Sequence, residues 1–364
     1  METVLKPANP YILDIQPYVP GKPIEDVKRE LGLKSVIKLA SNENPYPPSK
    51  KVLSAIHKAA LTVNRYSDGG CFILRKALAK RLKVGEDQII FGNGSDEIIV
   101  LAVKAFVGKG DEVIIAKPSF LIYDLASRLA GAKIHAVPLK DFYYDLEGMK
   151  SKISSRTKII FIGNPDNPAG TFVNRNQLEG LIKAASKETL IFIDEAYFEY
   201  VHSKDYPDGI PLVKKYPNVL VTRTFSKMYG LAGLRIGYGI GRPDIIDILN
   251  RLREPFNVNS IAQAAALAVL TDQGYYRKIA KDIEEQRQYL YRSLIRLGIK
   301  FIESSTNFIL INAGGDSSLL AKALLKKGVI IRDMSSWGLQ GHIRLTIGSV
   351  PENKRFIKTL MEVL

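Results

Sequence analysis

The sequence predicts an α/β protein, with a doubly wound, mostly parallel sheet over roughly residues 50–250 and a smaller α+β unit after it. Two observations carry this. In the earlier part, short apolar runs without period-two alternation, as expected of strands covered on both faces, alternate with helical patterns. In the later part, two long helical patterns precede three strands and two further helices, so the βαβ rhythm stops.

Taken in order, the first 40 or so residues are proline-rich (Pro7, Pro10, Pro17, Pro20, Pro23) and too short to fold alone. They are expected to pack as an arm on the rest. Strands are predicted at 88–91, 112–116, 134–139, 158–163, 190–194, 219–224 and 235–240, with helices at 96–106, 121–130 and 176–185 between them. The later unit is predicted to hold helices at 260–270 and 276–297, strands at 308–312, 329–332 and 343–347, and helices at 319–327 and 351–364. The expected organisation is therefore an arm and part of a small domain (1–40), a large domain (41–255), and an interdomain helix with the small C-terminal domain (256–364). In an open parallel sheet, ligands bind at the carboxyl ends of the strands.

Composition narrows the function classes. The chain has 364 residues and a net charge of 52 − 37 = +15. Such basicity suits nucleic acid, an anionic membrane or small anionic ligands. The cations are spread, however: Lys50-Lys51, Lys214-Lys215 and Lys326-Lys327 are the local clusters, and none forms a basic arm. With Cys71 as the only cysteine, a disulfide scaffold and a Cys-rich metal site are excluded. The four histidines lie far apart, so no metal set is expected. No apolar run approaches the roughly 18–20 residues of a membrane span, and the N-terminus does not read as a signal peptide. A cytoplasmic location is the expectation.

Four segments at predicted strand ends carry chemistry. Gly92-Asn93-Gly94-Ser95-Asp96-Glu97 opens a helix whose backbone N–H groups can bind an anion, or is an ordinary Ser cap. It lacks the Gly-Lys-Ser/Thr ending of a P-loop. Asn164-Pro165-Asp166-Asn167-Pro168 makes a stiff polar loop in which an asparagine can be held for a fixed hydrogen bond. Asp194, at the end of an apolar strand, needs a partner, and a cationic ring nitrogen suits it; Tyr197 lies three residues on. Finally, Lys227 sits among Thr224, Ser226 and small residues, with Arg235 eight residues later. A desolvated lysine is nucleophilic, and the hydroxyls with the arginine can hold a phosphate. No one of these decides the matter. Together they match a phosphate, a phenolic oxygen, a pyridine nitrogen and an aldehyde, the parts of pyridoxal phosphate.

With these blocks the sequence resembles the fold-type I pyridoxal-phosphate aminotransferases, and more narrowly the histidinol-phosphate aminotransferases. The resemblance covers almost the whole chain. Its blocks include Tyr18-Val19-Pro20-Gly21-Lys22, Leu39-Ala40-Ser41-Asn42-Glu43-Asn44-Pro45-Tyr46, Arg65-Tyr66-Ser67-Asp68-Gly69, Asp194-Glu195-Ala196-Tyr197 and Ile343-Arg344-Leu345-Thr346-Ile347-Gly348. Two departures stand out: Ser67 where the family usually has proline, and Ala169 where threonine is usual.

The resemblance implies roles. Lys227 would hold the cofactor covalently and shuttle a proton. Asp194 would pair with the ring nitrogen, Asn167 and Tyr197 would bond the phenolic oxygen, and Phe120 would stack on the ring. Gly94, Ser95, Asp96, Thr224, Ser226 and Arg235 would surround the phosphate, and Tyr66 would reach the cofactor of a neighbouring subunit, which implies a homodimer. Arg344 would take the carboxylate of glutamate or the phosphate of histidinol phosphate, with Arg332, Tyr18 and Asn42 as further substrate-binding candidates. The implied activity is amino transfer between histidinol phosphate and 2-oxoglutarate in histidine biosynthesis. The rivals are an aromatic-amino-acid aminotransferase, a threonine-phosphate decarboxylase-like enzyme and, from another class, a non-enzymatic nucleic-acid-binding module.

Overall fold

The computed structural model describes residues 9–13, 15 and 21–364. In chain order its strands are β1 (Ile37–Leu39), β2 (Ile89–Gly92), β3 (Glu112–Lys117), β4 (Lys133–Pro138), β5 (Thr157–Gly163), β6 (Leu190–Asp194), β7 (Val219–Thr224), β8 (Gly237–Ile240), β9 (Phe301–Ile302), β10 (Phe308–Asn312), β11 (Val329–Asp333) and β12 (His342–Thr346). Seven form one sheet in the order β2-β8-β7-β6-β5-β3-β4, and five form a second in the order β1-β11-β12-β10-β9.

The large sheet is parallel except for β8, which runs antiparallel to both its neighbours, β2 and β7. Its central strands carry apolar runs without alternation because both faces are covered. Ile160, Ile162, Ile191, Ile193 and Val221 belong to the core on one face; Ile159, Phe161, Leu190, Phe192 and Leu220 belong to the core on the other. This is the two-sided burial that a run without alternation implies.

Several boundaries differ from the sequence expectation. Strand β8 starts at Gly237, not at 235, because Ala232–Leu234 form a 3-10 turn and Arg235 takes a left-handed conformation (φ 56°). The large sheet spans residues 89–240; the helices Lys50–Ala60 and Phe72–Leu82 precede it. Both escape the pattern reading, as do the very short strands β1 and β9. Helix starts are local: Asn174 and Gln177 cap each other's backbone ahead of Arg175–Ala184, and Asn259 caps Ser260–Leu270.

The second sheet draws on both ends of the chain. β1 pairs in parallel with β11, and β11 and β10 flank β12 in antiparallel fashion. This brings Ala40–Glu43, just after β1, beside the carboxyl ends of β5–β7.

Candidate active site

A pocket of about 450 Å³ lies where the two sheets face each other. Its floor comes from the carboxyl ends of the large-sheet strands, as a doubly wound fold requires.

The first wall is a cup of backbone. After β2, Gly94 (φ 83°) turns the chain into the helix Ser95–Phe106. A Cβ on Gly94 would lie 2.4 Å from Arg235 Nη2, and one on Gly237 would lie 2.5 Å from the Ser95 nitrogen. Only glycine permits these approaches. Arg235 bonds Asp96 at 3.2 Å, and the buried Thr224 hydroxyl accepts the Ser226 N–H at 3.1 Å. Helix N–H groups, two hydroxyls and a guanidinium thus face one spot, and an anion fits it.

Asp194 ends β6 and is buried. It accepts from Tyr123 Oη at 2.8 Å, Thr222 Oγ1 at 3.3 Å and the Ala196 N–H at 3.2 Å. These are neutral donors, and burial pushes its carboxyl up to about 6. A cationic ring nitrogen supplies the charge this carboxylate lacks. Tyr123 is itself held by stacking on Phe161 (4.7 Å) and by an edge contact with Phe120 (5.6 Å).

Lys227 follows β7. Burial pulls its amine down to about 8, and the Arg344 charge adds to the effect. Its Nζ lies 5.8 Å from the centre of the Tyr197 ring. Burial holds the Tyr197 phenol protonated, up to about 12, so it remains a donor. Asn42 donates to Tyr197 Oη at 2.9 Å, while its own backbone N–H donates to Thr346 Oγ1 at 2.9 Å and its carbonyl accepts from Asn307 at 3.0 Å.

The loop after β5 is braced internally. Asn164 bonds the backbone of Val173 in both directions, and Asp166 accepts from the Ala169 N–H at 3.1 Å. This leaves Asn167 facing the pocket, where Arg344 donates to its Oδ1. Arg344 also donates to the Ala40 carbonyl at 3.3 Å and stands directly opposite Arg332 in the β11–β12 register.

The structure therefore brings together Ser95, Asp96, Phe120, Asn167, Asp194, Tyr197, Thr224, Ser226, Lys227, Arg235, Asn42, Arg332 and Arg344. Gly94 stands behind the wall, under Arg235. Tyr66 is not at this pocket: it is exposed and stacks on Phe256 at 4.7 Å. Tyr18 lies outside the described residues. Sequence reasoning missed Tyr123 and Trp337, which also line the pocket. Tyr123 sits three residues after Phe120 on the same helical face, a spacing that could have pointed to it.

The parts of pyridoxal phosphate, which the resemblance implies, fit this donor set: an anion cup closed by two obligatory glycines, a buried acid with neutral donors, a protonated phenol beside an amide, and an amine of lowered basicity.

The chain belongs to the class I and II aminotransferases, whose family model (aminotransferase class I and II) matches residues 34–360. Within that family it is similar to histidinol-phosphate aminotransferases. That of Moorella thermoacetica is 44% identical over 354 residues, 97% of this chain and 92% of the relative. That of Caldicellulosiruptor saccharolyticus is 44% identical over 353 residues, 97% of this chain and 99% of the relative. The solved histidinol-phosphate aminotransferase of Sinorhizobium meliloti, in complex with pyridoxal-5'-phosphate, superposes with a TM-score of 0.91 at 29% identity, covering 100% of this chain and 99% of that one. Family and fold are thus those that the motifs led us to expect.

Proposed function

We propose that this chain is a pyridoxal-phosphate-dependent histidinol-phosphate aminotransferase, interconverting histidinol phosphate and 2-oxoglutarate with imidazole-acetol phosphate and glutamate in histidine biosynthesis. One observation carries the substrate reading: Arg332 and Arg344 are register partners on a pocket wall whose floor holds Lys227 and Asp194. Paired cations suit a phosphate, and one arginine fork can take a carboxylate or a phosphate in turn.

The cofactor would be held by Lys227 at its aldehyde, Asp194 at its ring nitrogen, and Asn167 and Tyr197 at its phenolic oxygen. Gly94, Ser95, Asp96, Thr224, Ser226 and Arg235 would surround its phosphate, and Phe120 would cover the ring. Bound there, pyridoxal phosphate supplies the electron sink for chemistry at the amine-bearing carbon. The residues do the rest. Asp194 keeps the ring nitrogen charged. Lys227, with its basicity lowered towards neutral pH, takes and returns the proton at the substrate carbon. Arg344 and Arg332 hold the substrate's anionic end, and Asn42 orients the Tyr197 phenol.

We further place the working enzyme as a homodimer with shared sites. Leu61, Val63, Tyr66, Phe72 and Ile73 leave much apolar surface exposed in one stretch of the sequence, with exposed Phe256 stacked on Tyr66, and such patches mark interfaces. The single cysteine suits a reducing cytoplasm. Among the described residues no helix is long and apolar enough to cross a membrane.

The deciding experiment offers the purified protein histidinol phosphate, phenylalanine and threonine phosphate, each with 2-oxoglutarate. Glutamate should form fastest with histidinol phosphate. Preference for phenylalanine would favour the aromatic-amino-acid reading, and carbon dioxide release from threonine phosphate the decarboxylase reading.

A further inference from the structure

The chain has a single tryptophan, Trp337, and it lines the active-site pocket. It sits on the 3-10 turn Ser335–Trp337, directly after β11. That turn is pinned to the small sheet. Asp333 Oδ1 accepts from Ser317 Oγ at 2.8 Å, from Ser335 Oγ at 2.9 Å and from the Ser335 N–H at 3.2 Å. The Trp337 backbone N–H donates to the Met334 carbonyl at 2.9 Å, and Gly338 leaves the turn in a left-handed conformation (φ 79°). The indole is thus carried by a braced support, although the turn lies between strands.

The Arg344 guanidinium carbon lies 5.6 Å from the Trp337 ring centre and 5.2 Å from that of the fully buried Phe308. Two aromatic faces on separate elements therefore bear on one cation, both within the range of cation–π attraction. A guanidinium is flat, and rings lying over it restrict its rotation about the side-chain axis. It also donates to Asn167 from one terminal nitrogen and to the Ala40 carbonyl from the other, and the two rings add to that restraint.

The plane of the fork matters unequally to the two anions. A carboxylate is planar and gains two parallel bonds only when coplanar with the fork. A phosphate monoester presents three equivalent oxygens around a tetrahedron and finds two acceptors at many rotations. We infer that Trp337 is a positioning residue that holds the Arg344 fork in the plane a carboxylate needs, and so lets a phosphate-binding site also serve glutamate and 2-oxoglutarate. This rests on the reading that Arg344 takes the anionic end of both substrates.

The test uses the cofactor-loaded enzyme in the glutamate half-reaction, followed by the absorbance of the bound cofactor, with inorganic phosphate as competitor. In Trp337→Ala the apparent affinity for glutamate should fall about tenfold and that for phosphate about threefold or less, with the loss in KM rather than in the limiting rate. Trp337→Phe should restore both, which separates positioning from general damage. In the unaltered enzyme, emission of the lone tryptophan should change on adding 2-oxoglutarate or phosphate, and Arg344→Ala should abolish that change. Equal losses for the two anions, or no emission change, would overturn the inference. Failure of histidinol phosphate as a donor would sink the functional reading instead, since none of these arms uses it.

Discussion

Arg344 donates a hydrogen bond to the side-chain oxygen of Asn167, 177 positions away in the chain. One residue belongs to β12 in the small sheet and the other to the loop after β5 in the large one. The cation proposed for the substrate anion is thus already tied to the amide proposed for the cofactor's phenolic oxygen.

Replacing Arg344 should therefore harm both halves of the cycle. In Arg344→Ala, kcat/KM should fall about 100-fold for histidinol phosphate and for glutamate, as expected for losing charge-assisted bonds worth about 3 kcal/mol. Arg344→Lys keeps the charge without the fork and should fall between. Steady-state kinetics with each substrate checks this; a loss confined to one substrate would give the other a different anion site.

Lys227 should govern cofactor capture with an unusual pH dependence. Its amine titrates near 8 rather than at its ordinary 10.5, because burial and then the Arg344 charge oppose protonation. The free amine is the attacking form, so the rate at which cofactor-free protein takes up pyridoxal phosphate should climb through about pH 8 and level off above it. Arg344→Gln should move the midpoint up. Lys227→Ala should lose the visible absorption of the loaded enzyme and at least about 10⁴-fold in transfer. Rapid-mixing absorbance reads all of these.

Asp194 makes a stability prediction of opposite sign to the usual carboxylate. Burial raises it from 3.8 to about 6, so the native state keeps a proton that the unfolded chain loses. In cofactor-free protein this group's contribution should weaken as pH rises from about 4 to 6. Asp194→Asn should lack that component, and the difference between the two melting profiles isolates it. A bound cofactor reverses the demand: pairing with the ring needs the ionised acid, so affinity should drop as pH falls below about 6, and less steeply in Asp194→Asn. Titration of cofactor binding across this range tests the second half.

Gly94→Ala should cost about 1 kcal/mol or more from its left-handed backbone alone. The new Cβ would also push Arg235 off the anion cup, since it would lie 2.4 Å from Nη2. Cofactor affinity should fall about tenfold. Gly233→Ala, where a Cβ meets nothing within 4 Å, is the control. Equilibrium dialysis of the cofactor and thermal melting distinguish the two effects.

Shared sites predict complementation. Lys227→Ala and Tyr66→Ala proteins should each be nearly inactive. Unfolded and refolded together, they should regain part of the activity, because a mixed dimer holds one intact site. Activity that never returns in the mixture, or a sedimentation profile of monomers, would rule out the shared dimer.

Much of the site was legible because each part ends a strand that announces itself. The run Leu190–Asp194 is apolar until its last residue, so the acid marks the pocket floor. Lys227 and Arg235 bracket a turn whose small residues are visible in the chain, though not the left-handed step at Arg235 that delays β8. Trp337 was not legible, and for Tyr123 the spacing from Phe120 offered the pocket face but not the partner. Their roles arise from tertiary contacts, with Arg344 and Asp194 respectively, and no local spacing encodes a contact between distant elements. Strand β1, at three residues, carries too little pattern to be seen before its partner β11 is known.

The pairing of β1 with β11, and the bond between Asn42 and Thr346 across 304 positions, also set an order of assembly during synthesis. The residues proposed to grip the cofactor lie between 94 and 235, and they leave the ribosome before β12. The arginine proposed to receive substrate comes after all of them, and it closes a very long loop, a slow class of contact. On the proposed roles, the groups that take the cofactor are therefore synthesised before the group that selects what the enzyme acts on.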